Sequence, residues 1–317
     1  MSDRRVIGMD KAQRIAAVWN SDLSLRENME AANADTNDMR CMNRYRRAAE
    51  DLLGIRLDLT GSPQGRNNWP RTSEHIKAEG SAVVFSDAHF WPKTTSPAYF
   101  GLLEVLHQVK PQIVLDNGDS FDGATISRHA PISFDHLPSL ADEYKCCLEH
   151  MDGIIDASGK QASFYRNVGN HDLRFEGKMA SKVPEMIGMP ATTIGELFPK
   201  WKHNYSIVFN DELIAMHKWH CGIHAAWNNV LKAGKSIMTS HTHRLKVLPH
   251  TDYGGRKYSI ETGCLADPEG PQFSYCLDTA KDWQPGFVVI EFDENGIHPE
   301  VAELIGGRVR FRGKYYG

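Results

Sequence analysis

Two patterns of hydrophobic and polar residues divide the chain. In residues 1–54, apolar side chains recur at helical spacing, as at Ile15, Val18 and Trp19. The pattern predicts short helices over residues 11–19, 25–32 and 38–53. Three short helices with arginines on the solvent face of the last one are typical of a helix-turn-helix module. A small helical cap or partner-binding module would show the same pattern, so both interpretations stay open.

A different pattern begins at Ser81, where short apolar runs alternate with amphipathic segments. Strands are predicted at residues 82–85, 113–115, 162–168, 205–209, 213–216, 236–239, 257–260 and 286–292. Helices are predicted at residues 98–109, 137–155 and 223–233. This alternation indicates parallel strands with both sheet faces covered, which is an α/β fold. The predicted domains are a helical module over 1–54, a linker over 55–80 and an α/β domain over 81–317.

Composition and charge exclude several classes of protein. The 317 residues carry a net charge of −4, so nucleic-acid contact would require a local basic patch. The chain has no membrane-length apolar run, and its start lacks the apolar segment of a secretory signal. Six cysteines show no disulfide-framework spacing. We therefore expect a cytoplasmic protein with reduced thiols and no membrane contact.

Polar motifs follow the ends of five predicted strands. They are Asp87-Ala88-His89, Gly118-Asp119 with Asp122, Gly169-Asn170-His171-Asp172, His217, and His241-Thr242-His243. Because loops at the carboxyl ends of strands in an α/β sheet converge on one crevice, we expect these side chains to meet. Carboxylate, amide and imidazole donors without thiolate suit divalent Mn²⁺, Fe or Zn²⁺.

The spacing of these residues predicts two metal ions. Asp87 and His89 are two residues apart, as are His241 and His243, so both members of each pair project to one side of an extended segment. Asp119 is a single central carboxylate that could bridge two ions. Ions roughly 3.5–4 Å apart would clamp a phosphate and lower the pKa of a bridging water, which becomes a hydroxide nucleophile.

The ordered set of motifs resembles the calcineurin-like metallophosphoesterases. Their pattern is DxH, GDxxD, GNH(D/E), a single His after a strand, and GHxH, with Ser240 here in place of the last glycine. The resemblance covers roughly residues 81–303. The order and spacing of the motifs are similar to those of viral and bacterial members. It implies a four-layer α/β/β/α sandwich with a dinuclear site at the edge of the sheets. Residues 1–54 lie outside it as a helical extension.

The resemblance also implies a role for each motif residue. One ion would be held by Asp87, His89, Asp119 and His243, and the other by Asp119, Asn170, His217 and His241. His171 would be the general acid or a donor to the transition-state oxygens, with Asp172 orienting its ring. Either His217 or His220 could be the single family histidine. We favour His217, because it directly follows the predicted strand over 213–216.

Three further residues are candidates for substrate contact. His220 and Arg174 could reach a bound phosphate, and so could Arg244 after the last motif. An exposed turn arginine and a strand-capping arginine are the alternatives for the last two. Residues 308–316 alternate cations with apolar side chains, which predicts either an edge strand with one basic face or a nucleic-acid strip.

These patterns predict an enzyme that hydrolyses phosphate esters with two divalent ions, Mn²⁺ being favoured over Fe and Zn²⁺. The basic tail and helical module favour a nucleic-acid phosphodiesterase or nuclease that contacts DNA. A protein or small-molecule phosphomonoesterase is the alternative. A DNA-binding or scaffold protein with a structural metal site is the alternative from another class, and residues 1–54 could instead mediate oligomerisation.

Overall fold

The structure, a computed structural model, describes most of the chain. The described residues are 8–20, 25–34, 39–53, 57, 73–129, 137–277 and 279–317. The chain divides into two compact units, residues 1–67 and residues 68–317. Within the described residues, no helix is both long and apolar enough to cross a membrane.

The smaller unit contains three helices that share one apolar core. They are α1 (Met9–Val18), α2 (Leu25–Ala31) and α3 (Met39–Leu53). The core residues include Ala12, Ile15, Leu25, Met29, Met42, Tyr45 and Ala49. The helices predicted from the periodicity are therefore confirmed to within two residues at each end. The helix-turn-helix assignment and the contact with DNA stay predictions.

The larger unit alternates strands and helices as predicted. Its strands are β1 (Glu74–Ile76), β2 (Gly80–Phe85), β3 (Ile113–Asp116), β4 (Ser163–Asn167), β5 (Lys202–Asn204), β6 (Ser206–Phe209), β7 (Leu213–Met216), β8 (Ser236–Thr239), β9 (Leu245–Asp252), β10 (Gly255–Thr262), β11 (Gly286–Asp293), β12 (Gly296–Ile305), β13 (Arg308–Phe311) and β14 (Lys314–Tyr316). Its α-helices are α4 (Pro97–Val109), α5 (Leu140–Ser158), α6 (Leu173–Lys182), α7 (Ile194–Leu197) and α8 (Ala225–Ala233).

The strands form two sheets. The eight-stranded sheet has the order β14-β13-β12-β11-β2-β3-β4-β5, in which β2 to β5 are parallel. The six-stranded sheet has the order β1-β6-β7-β8-β10-β9, and β7, β8 and β10 are parallel neighbours in it. The antiparallel β6–β7 hairpin is confirmed. The parallel segments of both sheets end in loops that carry the polar motifs.

Alternation along β2 shows how the layers stack. Val83 and Phe85 belong to the core that includes residues of α4 and α5. Ala82 and Val84 belong to the core between the two sheets, together with residues of β6 and β7. Helix α8 packs on β8 and β10 from the other side of the six-stranded sheet. The larger unit is thus the expected four-layer α/β/β/α arrangement.

The linker prediction for 55–80 is wrong at its carboxyl end. Residues Glu74–Ile76 form β1, which pairs in parallel with β6 through Glu74 and Ile207, and β2 already begins at Gly80. The sequence of β1 is short and has a single apolar residue, Ile76, so it carries no hydrophobic alternation. Its backbone pairing with a neighbouring strand makes it a strand.

The basic C-terminal segment forms the edge hairpin β13–β14. Val309 and Phe311 are buried in the core, whereas Arg308 and Arg310 are exposed on the other face. Arg308 donates to backbone carbonyls of the same hairpin, and Arg312 forms ion pairs with two glutamates. The edge-strand alternative is therefore confirmed, while a contact with nucleic acid stays a prediction.

Candidate metal centre

Six of the candidate ligands converge where the strands of both sheets end. The ligand atoms of Asp87, His89 and His243 lie within 4.8 Å of one another, and we call these residues the first group. Those of Asp119, His217 and His241 do the same and form the second group. Together they are the donor centre. A third set of close atoms, from His89, Asp119 and His171, connects the two groups.

Most residues of the donor centre have an unusual backbone conformation. Their φ angles are left-handed: Asp87 47°, His89 40°, Asp119 60°, His241 67° and His243 58°. Residues other than glycine rarely adopt this region of φ, and each one that does destabilises the fold by on the order of 1 kcal/mol or more. Hydrogen bonds between the loops hold the conformation, such as those from Asp87 N to Gly118 O and from His89 N to Asp119 O. Clustered strain of this kind is typical of functional sites.

Two glycines let the loops approach each other. Gly118 has a φ of 100°, and a Cβ there would lie 2.6 Å from His217 Nδ1. A Cβ on Gly169 would collide with the carboxylate of Asp119. Any larger residue at either position would therefore displace Asp119 or His217.

The second group contains donor atoms that face each other. His217 Nδ1–H donates to Asn117 O at 2.9 Å, so Nε2 carries the lone pair of the neutral ring. That Nε2 lies 3.0 Å from Asp119 Oδ2. Two lone pairs this close are stable only with a cation or a proton between them. Burial acts to lower the pKa of His217. In the absence of metal the Asp119 carboxylate prevails and raises this pKa to about 10.

The first group also brings an imidazole nitrogen next to a carboxylate oxygen. His243 Nε2 lies 3.3 Å from Asp87 Oδ1. The side chains of Asp87 and His89 are fully buried or nearly so, and His89 Nε2 has no hydrogen-bond partner among the described residues. Burial acts to raise the pKa of Asp87, but His243 opposes it and the net shift is downward. The donor atoms of both groups therefore fit divalent cations.

Asp119 is the residue between the two groups. It is buried, and one of its carboxylate oxygens accepts the backbone N–H of His171 at 2.8 Å. Burial acts to raise its pKa, yet His217 and then His171 lower it well below the usual value. An ionised carboxylate at this position can contact both groups.

Asp122 connects two imidazoles. Its Oδ1 accepts from His89 Nδ1 at 2.8 Å and from His171 Nδ1 at 2.7 Å. Burial acts to raise the pKa of Asp122, but the hydrogen bonds from His171 and His89 prevail and lower it. Asp122 therefore fixes the tautomer of both rings, leaving Nε2 of each as the acceptor atom. The sequence patterns gave Asp122 no role of its own, and its spacing from Asp119 was the available signal.

The expectation that Asp172 orients His171 is wrong. The Asp172 carboxylate points away from the His171 ring. It accepts the backbone N–H groups of Asp119 at 2.9 Å, Gly169 at 2.8 Å and Phe121 at 3.2 Å. It also contacts the buried Arg166 at 2.5 Å. The geometry of the turn after β4 directs the side chain inward, so Asp172 supports the loops and Asp122 takes the orienting role.

Arg174 lies beside His171. Its Nη2 donates to His171 Nε2 at 3.1 Å, and its Nη1 donates to the carbonyl of Asp122 at 2.9 Å. About a fifth of the Arg174 side chain is exposed. A guanidinium at the edge of the donor centre is positioned for an incoming anion, so contact with substrate stays a prediction.

The other predicted residues lie in different surroundings. Asn170 is exposed in the turn between Gly169 and His171. His220 lies outside both groups, and its backbone N–H donates to Asn229. The structure thus brings His217, rather than His220, to Asp119. Arg244 donates to the carbonyls of residues 221–223 and lies 3.3 Å from Glu261, so its guanidinium holds that loop.

Comparisons with known proteins give local and distant similarities. No family model matches the chain. The gene 54 protein of Mycobacterium phage L5 is 33% identical over 95 residues, which are 29% of this chain and 36% of that protein. The gene 54 protein of Mycobacterium phage D29 is 36% identical over 87 residues, 26% and 33% of the two chains. The chain thus spans about a third of the length of the curated relatives it matches.

Among solved structures, the similar folds are those of Vps29, phosphodiesterase and phosphatase proteins. Entamoeba histolytica Vps29 with Zn²⁺ has 17% identity, a TM-score of 0.39, and coverage of 73% of this chain and 96% of that one. An archaeal phosphodiesterase has 12% identity, a TM-score of 0.36, and coverage of 70% and 99%. A Saccharomyces cerevisiae serine/threonine phosphatase has 11% identity, a TM-score of 0.35, and coverage of 74% and 84%. These similarities are weak, and the fold rests on the sheets and layers described above.

Proposed function

We propose that this protein is a metal-dependent hydrolase of phosphate esters. We assign it to the calcineurin-like metallophosphoesterases, as a member of the viral and bacterial type with residues 1–54 as a helical extension. The observation that carries the proposal is the two donor groups linked through Asp119, in which imidazole nitrogens face carboxylate oxygens at 3.0 and 3.3 Å. The side-chain chemistry suits divalent cations, and the chain supplies two such groups next to each other.

We infer two bound ions, with Mn²⁺ favoured over Fe and Zn²⁺. The first group would hold one ion and the second group the other, with Asp119 common to both and Asn170 joining the second. When bound, such ions supply Lewis acidity and bring the pKa of a water molecule close to neutral. His89 and His217 would present Nε2 to the ions, because Asp122 and Asn117 accept the proton on the opposite ring nitrogen of each.

The net reaction consumes one water molecule for each ester. A bond forms between the water oxygen and phosphorus, the bond from phosphorus to the leaving oxygen breaks, and the leaving oxygen takes up a proton. His171 stands next to the donor centre with Nδ1–H held by Asp122. In the present arrangement its Nε2 accepts from Arg174. His171 can therefore donate to a phosphate oxygen or leaving group only after Arg174 has turned toward the substrate and Nε2 has taken up a proton from water.

We further infer that the substrate is a phosphodiester, with nucleic acid the class we favour. Phosphomonoesters of proteins or small molecules are the alternative. Arg174, which lies beside His171 at the edge of the donor centre, would contact the ester. We also propose DNA contact through residues 1–54 and, separately, through the exposed Arg310 of the edge hairpin.

The experiment combines metal analysis with an ester panel. Protein purified without chelator is analysed for bound metals, and hydrolysis of bis-p-nitrophenyl phosphate is compared with that of p-nitrophenyl phosphate in added Mn²⁺. We expect bound divalent metal and faster turnover of the diester. His217→Gln should lose metal and activity together, whereas His298→Gln, a surface histidine that contacts Asp293, serves as the matched control.

Two results would contradict the proposal. A folded protein that binds no divalent ion under calorimetry removes the metal centre. A protein that binds metal but hydrolyses neither ester supports the scaffold alternative instead. Hydrolysis of the mono-ester alone would replace the phosphodiesterase by a phosphatase.

A further inference from the structure

The segment between β10 and β11 folds over the first group. Backbone N–H groups of Leu265 and Ala266 donate to the carbonyls of Ser86 and Asp87 at 2.9 and 3.2 Å. At the other end of the segment, Gln284 N donates to His243 O at 2.9 Å. Both ends of the segment are therefore fixed to the loops that carry the candidate ligands.

Three aromatic residues of this segment, Phe273, Tyr275 and Trp283, form what we call the aromatic wall. The Trp283 ring is centred 4.3 Å from the His243 ring and 4.8 Å from Phe273. Phe273 is in turn 5.2 Å from the His89 ring. The wall thus begins in direct contact with imidazoles of the first group.

Burial distinguishes the members of the wall. Phe273 is 3% exposed, so packing of the segment accounts for it. Tyr275 lies one ring further out, 6.3 Å from Phe273, and is 53% exposed. Trp283 has Lys281 Nζ 5.9 Å from its ring centre. Tyr275 is therefore the ring of the wall that offers a surface to a ligand.

Tyr275 belongs to the same side of the site as the substrate-facing residues. Its neighbour Phe273 packs on His89, whose Nδ1 donates to Asp122. Asp122 also holds His171, so Tyr275 lies two rings away from the contact between Asp122 and the candidate ligands. A substrate whose phosphate meets the donor centre would extend past this ring.

We propose that Tyr275, backed by Phe273 and Trp283, is a stacking subsite for a nucleobase attached through its sugar to the phosphate at the donor centre. The proposal rests on the proposed phosphodiesterase function. Planar bases stack on aromatic side chains whatever their sequence, because every base has a π-face. Tyr275 lies one ring beyond Phe273, which suits a ring separated from phosphorus by a sugar. A ring bonded directly to the phosphate, as in an aryl monoester, would meet Phe273 and Trp283 first.

The test uses two diesters with the same leaving group. Thymidine 5′-(p-nitrophenyl phosphate) carries a base, and ethyl p-nitrophenyl phosphate does not, so contacts of the leaving group cancel. Release of p-nitrophenol from both diesters, and from p-nitrophenyl phosphate, is measured with Mn²⁺ for the wild type, Tyr275→Leu, Tyr275→Phe and Tyr253→Leu. Tyr253 is a fully exposed tyrosine in the β9–β10 turn, at the opposite end of β10 from the site, and is the matched control.

We expect Tyr275→Leu to lower kcat/KM for the thymidine ester by about five- to a hundredfold, mainly through KM, the range found when a stacking side chain is removed. Its kcat/KM for the ethyl ester should change by less than about twofold, and Tyr275→Phe should keep the preference because it retains the ring. Calorimetry without turnover gives a second readout, in which Tyr275→Leu weakens binding of thymidine 5′-phosphate and not of ethyl phosphate.

The outcomes separate this inference from the proposed function. If the wild type hydrolyses neither diester, the proposed function fails and the subsite fails with it. If both diesters are hydrolysed with equal kcat/KM, or Tyr275→Leu affects both equally, only the subsite is overturned. A loss confined to p-nitrophenyl phosphate would assign Tyr275 to aryl monoesters and would also overturn it.

Discussion

Two neighbouring groups of buried charge differ in the source of their counter-charge. In the arginine cluster (Asp116, Arg166 and Asp172), the guanidinium lies 3.0 Å from one carboxylate and 2.5 Å from the other. In the donor centre, the carboxylates of Asp87 and Asp119 face imidazole nitrogens. No lysine or arginine of the described residues forms an ion pair with either of them.

The difference separates a structural cluster from a binding site. The arginine cluster supplies its own cation, and Asp172 passes that support to the backbone of Asp119 and Gly169. Burial raises the pKa of Asp116 to about 7, although Arg166 opposes the shift, so this cluster approaches neutrality without a ligand. The donor centre reaches neutrality only by taking up protons or cations. A buried charge without its counter-charge is costly, which is why the donor centre is expected to bind metal.

Asp119→Asn should have the largest effect on activity. The amide keeps the shape and tolerates the left-handed backbone but removes the charge shared by both groups. We expect phosphodiester turnover to fall by at least about a thousandfold, beyond the roughly 10- to 100-fold cost of losing a residue that only supports a ligand. Metal content and kinetics are measured on the same preparation. Full metal content with near-normal turnover would break the distinction between the two clusters.

Arg166→Met should have the largest effect on stability. It leaves two carboxylates buried without their cation, and breaking such a pair costs about 3–5 kcal/mol. Urea unfolding measures the change, with the exposed Arg310→Met as the control. A loss below about 1 kcal/mol, the scale of surface ion pairs, would mean that the arginine cluster does not support the loops.

The positive charge of the arginine cluster affects how stability depends on pH, through the pKa of His203. Burial, reinforced by Arg166, lowers its pKa to about 4, while Nε2–H donates to Phe198 O. Between about pH 6.5 and 4 only the unfolded state binds this proton, so the free energy of unfolding falls as pH falls, by about 3 kcal/mol in total.

Comparison with His203→Gln isolates this contribution, because the amide keeps a donor but does not titrate. The free energy of unfolding of the wild type, relative to that of the variant, should be constant above pH 6.5 and should fall as pH falls toward 4. Parallel profiles for wild type and variant would show that His203 is not held neutral.

Asp122→Asn should reduce activity less than Asp119→Asn. It removes the charge that holds His89 and His171 and leaves the ligand atoms in place. We expect kcat/KM to fall by about 10- to 100-fold, with a small change in unfolding free energy. A loss as large as that of Asp119→Asn would place Asp122 among the residues that contact the ions.

His220→Gln should have the smallest effect. Its ring lies outside both groups, whereas His217 faces Asp119. We expect metal content to be unchanged and kcat/KM to stay within about twofold, as for surface substitutions away from special features. Loss of metal in this variant, with retention in His217→Gln, would reverse the assignment of the two histidines.

The sequence predicted the strands that are buried on both sides and the residues at their ends. Runs such as β2 and β3 are continuous apolar stretches, and the motifs directly after them locate the donor centre. Strand β1 escaped prediction because it is three residues long and only Ile76 is apolar. Strand β9 escaped because it is an edge strand with mixed exposure and a proline at position 249.

The partners of the charged side chains could not be predicted. Arg166 lies inside a strand and is fully buried, although an arginine at such a position is normally exposed. Its contact with Asp172 depends on how the turn after β4 folds back beneath β3. Only the three-dimensional path of that turn decides that Asp172 contacts Arg166 while Asp122 contacts His171.

The left-handed backbone of the candidate ligands affects how this site can be studied by mutagenesis. Alanine at Asp87, His241 or His243 removes a donor and also leaves an ordinary side chain in a conformation that favours glycine and asparagine. A conventional alanine scan would therefore mix loss of chemistry with relaxation of the loop. Asparagine tolerates the left-handed backbone, so asparagine substitutions change the donor without relaxing the loop. Glycine substitutions at the same positions would measure how much backbone strain each loop stores.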